Sequence, residues 1–129
     1  HETLVMQKWL AVQAASPSYD IEKLLELSEV DIYDMKVPNL FRSLVGSFVR
    51  SNTEQLHSKD GSGYKFVSDM ILEMDQINPQ IAAGLAKSLR FLRKLDSSRA
   101  HLLTNQLIRI KDKKGLSSDC LEVITKNLQ

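Results

Sequence analysis

The sequence is short of cysteine, of glycine and proline, and of net charge, and each shortage excludes something. Cys120 is the single cysteine, so no intrachain disulfide can form. No Asn-x-Ser/Thr acceptor occurs either, and the expected setting is a reducing one, cytoplasmic or the interior of an organelle, not a secreted one. Five glycines and three prolines are too few for an all-β chain that turns after every short strand. With 17 basic and 16 acidic side chains the net charge is +1, which gives no bulk attraction to nucleic acid or to an anionic membrane surface. No apolar run approaches the length of a membrane span. The opening His1-Glu2-Thr3 has neither an initiator Met nor a basic stretch followed by an apolar one. It reads as the inside of a helix, and the chain is expected to be a fragment of a larger polypeptide.

What is present is helical periodicity. Hydrophobic residues fill 43% of 129 positions, enough for the core of one domain spanning 1–129. Val5, Trp9 and Val12 recur at i, i+4 and i+7, with Leu4 and Leu10 beside them, until Ser16-Pro17 breaks the pattern. Asp20 is a fitting N-cap for a short helix through Ile21, Leu24, Leu25 and Leu27. After a mixed loop over 28–37, Pro38 suits a first helical turn, where its missing N–H has no partner to lose. Leu40, Leu44 and Phe48 then alternate with Phe41, Val45 and Val49 in one broad stripe. Asn52, with Gln55 three residues on, has the form of a capping box.

The stripe resumes from Tyr64 through Val67, Met70, Ile71 and Met74. Asn78-Pro79 opens an expected long helix through Ile81, Leu85, Leu89 and Leu92. Asp96-Ser97 caps another through Leu103, Leu107 and Ile110, with Gly115 as its stop. Ser117 or Ser118 caps a last one through Leu121, Ile124 and Leu128. Pro38, Pro79 and Ser117 lie roughly 40 residues apart, a period that fits helix-pair solenoids. The expected fold is all-α, with stacked antiparallel helix pairs in an armadillo/HEAT-like superhelix; a closed bundle is the plainer alternative.

Within this frame no catalytic or metal-binding constellation is found. His1, His57 and His101 are the only histidines, and no two share the helical spacing that a zinc site needs. Cys120, in the first turn of an amphipathic helix, reads as a small buried residue and not as a nucleophile. The segment His57-Ser-Lys-Asp-Gly-Ser-Gly-Tyr64 resembles a phosphate-cradling loop only on its surface, since it lacks the preceding strand and the Lys-Ser/Thr ending. It reads as a tight hydrogen-bonded corner, with His57 pinning it, Asp60 or Ser62 capping, and Gly61 and Gly63 supplying backbone freedom.

Arg42 falls outside the apolar stripe. Gly46 lies one turn on, so a backbone or a ligand can approach there, and the planar fork of Arg42 suits a carboxylate. A salt bridge to another helix is its competing role. The basic clusters Arg90, Arg93, Lys94 and Arg99, and then 109–114, read as solvated faces and helix-end charges. No aromatic residues interleave with them at base-stacking spacing. Met35, Met70 and Met74 read as packing.

One resemblance runs through the chain. Trp9 with Gln13-Ala14, then Pro38-Asn39 with Arg42-Ser43-Leu44-Val45-Gly46, resembles the opening of the C-terminal domain of bacterial and plant-type aminopeptidase N. Leu56-His57-Ser58-Lys59-Asp60-Gly61-Ser62-Gly63-Tyr64-Lys65-Phe66 is similar to that family's His-x-x-Asp-Gly-Ser-Gly-Tyr-x-Phe segment, the most specific part of the match. Asn78-Pro79-Gln80, Leu116-Ser117-x-Asp119 and Lys126-x-Leu128 continue it in order.

The resemblance implies a zinc exopeptidase that removes N-terminal residues from peptides. Its catalytic domain would lie upstream in the same polypeptide, with H-E-x-x-H, a distant Glu ligand and a G-x-M-E-N strand. It further implies that this chain carries no cofactor and no catalytic residue, and that it closes the active-site chamber and gates access of peptide substrates. Arg42 and Gln80 are then expected to face that chamber. Related family members often carry an arginine four residues after Gln80, where this chain has Gly84. A mid-helix glycine costs about 1 kcal/mol relative to alanine, so a packing or access reason is expected there. Truncation is expected to leave apolar surface near Leu4 and Trp9. The alternative is a stand-alone helical-repeat scaffold that binds proteins, which leaves the Asp-Gly-Ser-Gly-Tyr segment without a reason.

Overall fold

The computed structural model describes residues 2–31 and 33–129; His1, one of the histidines weighed as a ligand, lies outside the described residues. Every regular element among them is helical. The chain divides into two compact units, His1–Ser58 and Lys59–Gln129.

In the first unit α1 spans Glu2–Ala15, α2 Ile21–Leu27, α3 Pro38–Phe41, α4 Ser47–Ser51 and α5 Thr53–Leu56. Asp20 caps α2 as expected, its carboxylate accepting from the Lys23 N–H at 3.0 Å. Between α3 and α4 the helix continues through a π turn, Arg42–Gly46, in which the Ser47 N–H donates to the Arg42 carbonyl five residues back. Periodicity alone does not announce this extra residue. α1 lies against α3, the π turn and α4, and Leu10 and Ala14 join Leu40, Phe41, Leu44, Val45 and Phe48 in the core. Val49, expected in the same stripe, is only half-buried.

The face that α1 buries is not the one its periodicity singled out. Leu10 and Ala14 are fully buried, whereas Val5, Trp9 and Val12 are 55%, 41% and 66% exposed, and Leu4 is 54% exposed. On a 100° wheel the two sets lie on nearly opposite sides of the axis. Apolar residues are spread around the helix between Gln7, Lys8 and Gln13, so the i, i+4, i+7 pattern marks one apolar face without saying which side the core takes. The apolar surface expected near Leu4 and Trp9 is there.

In the second unit α6 spans Ser62–Ile77, α7 Pro79–Lys87, α8 Ser97–Lys111 and α9 Ser118–Leu128. Three of the four begin where a side chain supplies the missing acceptor. Asn78 Oδ1 accepts from the N–H of Gln80 at 3.1 Å and of Ile81 at 3.3 Å. Asp96 accepts from Arg99 at 2.9 Å, and Ser117 Oγ from Cys120 at 3.1 Å. α6 packs on α7 and α8, and α9 on α7 and α8, enclosing Tyr64, Ile71, Met74, Leu89, Leu103, Leu107, Ile110, Cys120 and Ile124. Two ties set the direction of α9. Its first cap, Ser117, donates to Asp75 near the end of α6 through both N–H (2.9 Å) and Oγ. At its other end Asn127 Nδ2 donates to the Ala86 carbonyl at 2.8 Å. Since Asn78 alone separates α6 from α7, α7 and α9 run the same way.

Several expected boundaries are corrected. The long helix from Pro79 ends at Lys87, and Leu92–Lys94 is a 3-10 turn. The N–H groups of Ser88 and Leu89 bond the Leu85 and Ala86 carbonyls three residues back, Ser88 Oγ takes the Leu85 carbonyl, and Asn127 takes that of Ala86. The last turn tightens and stops, while Leu89 is buried just beyond it. α8 ends at Lys111, before Gly115; that glycine, at φ 86, sits in a turn closed by the Leu116 N–H on the Lys113 carbonyl at 3.2 Å. Leu121 is 40% exposed, because α9 turns Cys120 and Ile124 inward instead. No helix among the described residues is long and apolar enough to cross a membrane.

Candidate functional site: a pinned corner and two recesses

Asn52 caps α5 by accepting from the Gln55 N–H at 3.3 Å. Gln55 does not complete the capping box, because its side-chain amide donates outward to the Pro17 carbonyl at 2.9 Å. Asn52 does more than its pattern suggests. Fully buried, its Nδ2 reaches the carbonyls of Ala14 (3.0 Å), Ser16 (2.8 Å) and Tyr19 (3.2 Å). The end of α1 and the loop after it leave the Ala14 and Tyr19 carbonyls without a backbone donor, while that of Ser16 also accepts from the Tyr19 N–H at 2.9 Å. The breaker Ser16-Pro17 was the one available signal that such carbonyls needed a distant donor.

The corner before α6 is a structural device. Asp60 Oδ1 accepts from the Ser62 N–H at 2.9 Å, an Asx turn. Gly61 follows at φ 79, and a Cβ there would stand 3.1 Å from Leu102 Cδ2, so both backbone and packing require glycine. Ser62 and Gly63 form the first turn of α6, and Tyr64 is fully buried. The Tyr64 ring centre lies 6.2 Å from that of Phe91, tilted by 40°. Burial pushes the Tyr64 phenol up to about 12. His57 closes α5, its N–H donating to the Thr53 carbonyl at 3.0 Å, and it is half-buried.

Arg42 lies exposed at the head of the π turn, beside a small recess of about 330 Å³ in the first unit. Its Nη1 donates to Asn39 Oδ1 at 3.5 Å. The sequence left the space above Gly46 to a backbone or a ligand, but Arg50 occupies it, with Nη1 3.0 Å from where a Cβ would stand. Gln80 falls in the second unit, exposed, along a larger groove of about 920 Å³ over the parallel α7 and α9. Gly84 opens into this groove with nothing within 4 Å of its would-be Cβ, which removes the packing reason and leaves access. Lys87, Arg90, Arg93 and Lys94 line the end where α7 and α9 finish; Asp119 lines the end where α9 begins. This polarity follows the helix dipoles. Arg93 donates twice to the Gln129 carbonyl, through Nε at 3.0 Å and through Nη2. Arg99 pairs with Asp96 at 2.8 Å, and Arg109 joins α8 to Asp69 on α6.

Among the described residues no group of three or more His, Cys, Asp or Glu side chains could hold a metal ion, and the residues present do not fit a zinc site. Cys120 is fully buried. Burial, with the Asp75 carboxylate beside it, pushes its thiol from 9.0 up to about 12, so it stays protonated and is not a nucleophile at neutral pH.

Every regular element among the described residues is a helix, with helices opening at Pro38, Pro79 and Ser118, the class of architecture to which ARM-repeat domains belong. The chain belongs to the family described as DUF3458_C, a domain of unknown function with ARM repeats, which matches residues 1–129, and it is a C-terminal helical domain of the aminopeptidase N type. It is 37% identical over 130 residues to "Aminopeptidase N" of Haemophilus influenzae, covering 100% of this chain and 15% of that protein. It is 38% identical over 126 residues to "Aminopeptidase N" of Escherichia coli, covering 97% of this chain and 14% of that one. Among solved structures it is similar to Legionella pneumophila aminopeptidase A in complex with aspartic acid, at 32% identity and a TM-score of 0.84, over 95% of this chain and 14% of that one. The chain thus spans 14–15% of the length of these relatives.

Proposed function

We propose that this chain is the non-catalytic helical domain of a zinc aminopeptidase, where it closes the active-site chamber and gates the access of peptides. The observation that carries this reading is the end-to-end match at 37–38% identity to proteins named aminopeptidase N, of which it spans 14–15%. The zinc and the scissile chemistry then belong to the upstream catalytic domain of the same polypeptide. Arg42 and Gln80 are the residues proposed to face the chamber. The half-covered α1 fits the same reading: an apolar surface of Val5, Trp9 and Val12 suits a preceding helix pair of the parent. A reducing interior, for which the buried thiol of Cys120 is suited, completes the proposal.

The test uses the parent polypeptide. Arg42→Ala is expected to raise KM for tri- and tetrapeptides about tenfold, the scale of one lost charged hydrogen bond, and to change amino-acid anilides much less. Equal effects on both substrate classes remove the chamber role. A parent without aminopeptidase activity returns the chain to the scaffold alternative.

A further inference from the structure

One peptide bond in the pinned corner is chemically unlike any other in the chain. The five glycines follow Val45, Asp60, Ser62, Ala83 and Lys114, so no Asn-Gly pair occurs. Asp60-Gly61 is the one place where a short carboxylic side chain precedes a residue with no side chain of its own. That pairing invites a rearrangement, because nothing shields the glycine nitrogen from the carboxyl carbon beside it. The Gly61 nitrogen bonds to Asp60 Cγ, and its proton leaves with the carboxyl OH as water. A five-membered imide results. Water then opens it, at Cγ to restore aspartate, or at the main-chain carbonyl carbon of Asp60 to give isoaspartate, whose backbone is one methylene longer.

The fold opposes that step. Asp60 is exposed to solvent, but its Oδ1 is turned to the Ser62 N–H at 2.9 Å, one residue beyond the nitrogen that would attack. Gly61 is buried and set at φ 79, ψ 4. Its carbonyl accepts the Lys65 N–H at 3.0 Å as α6 begins. Leu102 of α8 lies against it, with Cδ2 3.1 Å from where a Cβ would stand. Closing the imide ring brings Asp60 Cβ and Cγ into one plane with the Gly61 nitrogen. This gives up the bond to Ser62 and turns the peptide between Asp60 and Gly61, so the start of α6 has to open first.

We infer that Asp60 is the isoaspartate-forming site of this chain and that the folded corner restrains it, so that the modification marks chains whose α6 start has opened. An isoaspartate cannot rebuild the corner. Its free carboxylate hangs directly from Cα, and the main chain runs through Cβ, which Asp60 uses to reach Ser62. The inference stands apart from the aminopeptidase reading.

The 129-residue chain and a synthetic peptide of residues 57–65 are kept for several weeks in the same neutral buffer at body temperature. Isoaspartate is counted by enzymatic carboxyl methylation and located by electron-transfer mass spectrometry. The peptide is expected to accumulate it at position 60 at least about tenfold faster than the chain, since only the opened fraction of the folded protein reacts. Leu102→Ala, which uncovers Gly61, brings the chain toward the peptide's rate. Asp60→Glu, whose longer side chain cannot close a five-membered ring, removes the signal at that position. In the modified fraction hydrogen exchange quickens at 62–66. Should Leu102→Ala fail to fold, the chain unfolded in urea takes its place and has to match the peptide. Equal rates in the native chain and the peptide overturn the inference. So does a peptide that stays unmodified, or a chain whose first isoaspartate forms elsewhere.

Discussion

The two units solve the problem of unpaired backbone groups in opposite ways. In the second unit α7, α8 and α9 begin at a residue whose own side chain accepts from the first turn: Asn78, Asp96 and Ser117. In the first unit the loop after α1 depends on Asn52, which lies 38, 36 and 33 residues from the carbonyls it serves. Local chemistry specifies the second unit almost helix by helix. The first caps α2 locally at Asp20 but relies on one buried amide for the loop after α1, and its helices are short, broken by a π turn, or covered on one side only.

The largest effect is expected at that amide. Asn52→Ala should destabilise the chain by about 2–4 kcal/mol, since it takes the donor from the buried Ala14 carbonyl and from that of Tyr19 and also removes a cap. Urea unfolding measures it, and hydrogen exchange should quicken most at 14–19 and 53–57. An equal increase in α8 and α9 would erase the contrast between the units.

Next comes an alkaline loss carried by two groups of the second unit. Folding raises Cys120 from 9.0 and Tyr64 from 10.0, each to about 12. Groups raised in this way favour the folded state below their unfolded values. Stability is therefore full below pH 9 and falls as pH climbs toward 12, through the range where only the unfolded chain ionises. Cys120→Ala with Tyr64→Phe should flatten that decline in chemical denaturation run from pH 8 to about 11. A decline of unchanged slope assigns it to other groups.

Gly61→Ala should cost about 1–2 kcal/mol, from left-handed backbone and from Leu102 together. Gly115→Ala is its control, at φ 86 with open space around it, and the difference between the two isolates the Leu102 contact. The smallest effect has the opposite sign. Gly84→Ala should stabilise by about 0.5–1 kcal/mol, because the added methyl meets nothing and the helix gains propensity; a destabilised variant would show that the groove floor is not open.

Most of the fold was legible in the sequence, for a physical reason. Caps and apolar stripes are local signals, and Asp20, Asn78, Asp96 and Ser117 each start a helix where their chemistry requires one. The failures are all non-local. Nothing around Leu89 announces that Asn127 will bond the carbonyl of Ala86, and nothing around Gln55 announces Pro17. Arg42 was legible as a position outside the apolar stripe, and Gln80 only through the family resemblance.

The π turn has a consequence for anyone comparing relatives of this chain. Removing one residue between Arg42 and Ser47 would return the segment to ordinary α geometry, with the hydrogen-bond ladders on either side intact. A single-position gap inside what looks like an unbroken helix is therefore the footprint to expect in an alignment, and the side chains downstream of it keep their faces. In relatives bearing the gap the counterpart of residue 50 stands seven residues on from that of Arg42, about 20° away around the axis and so on the same face as here.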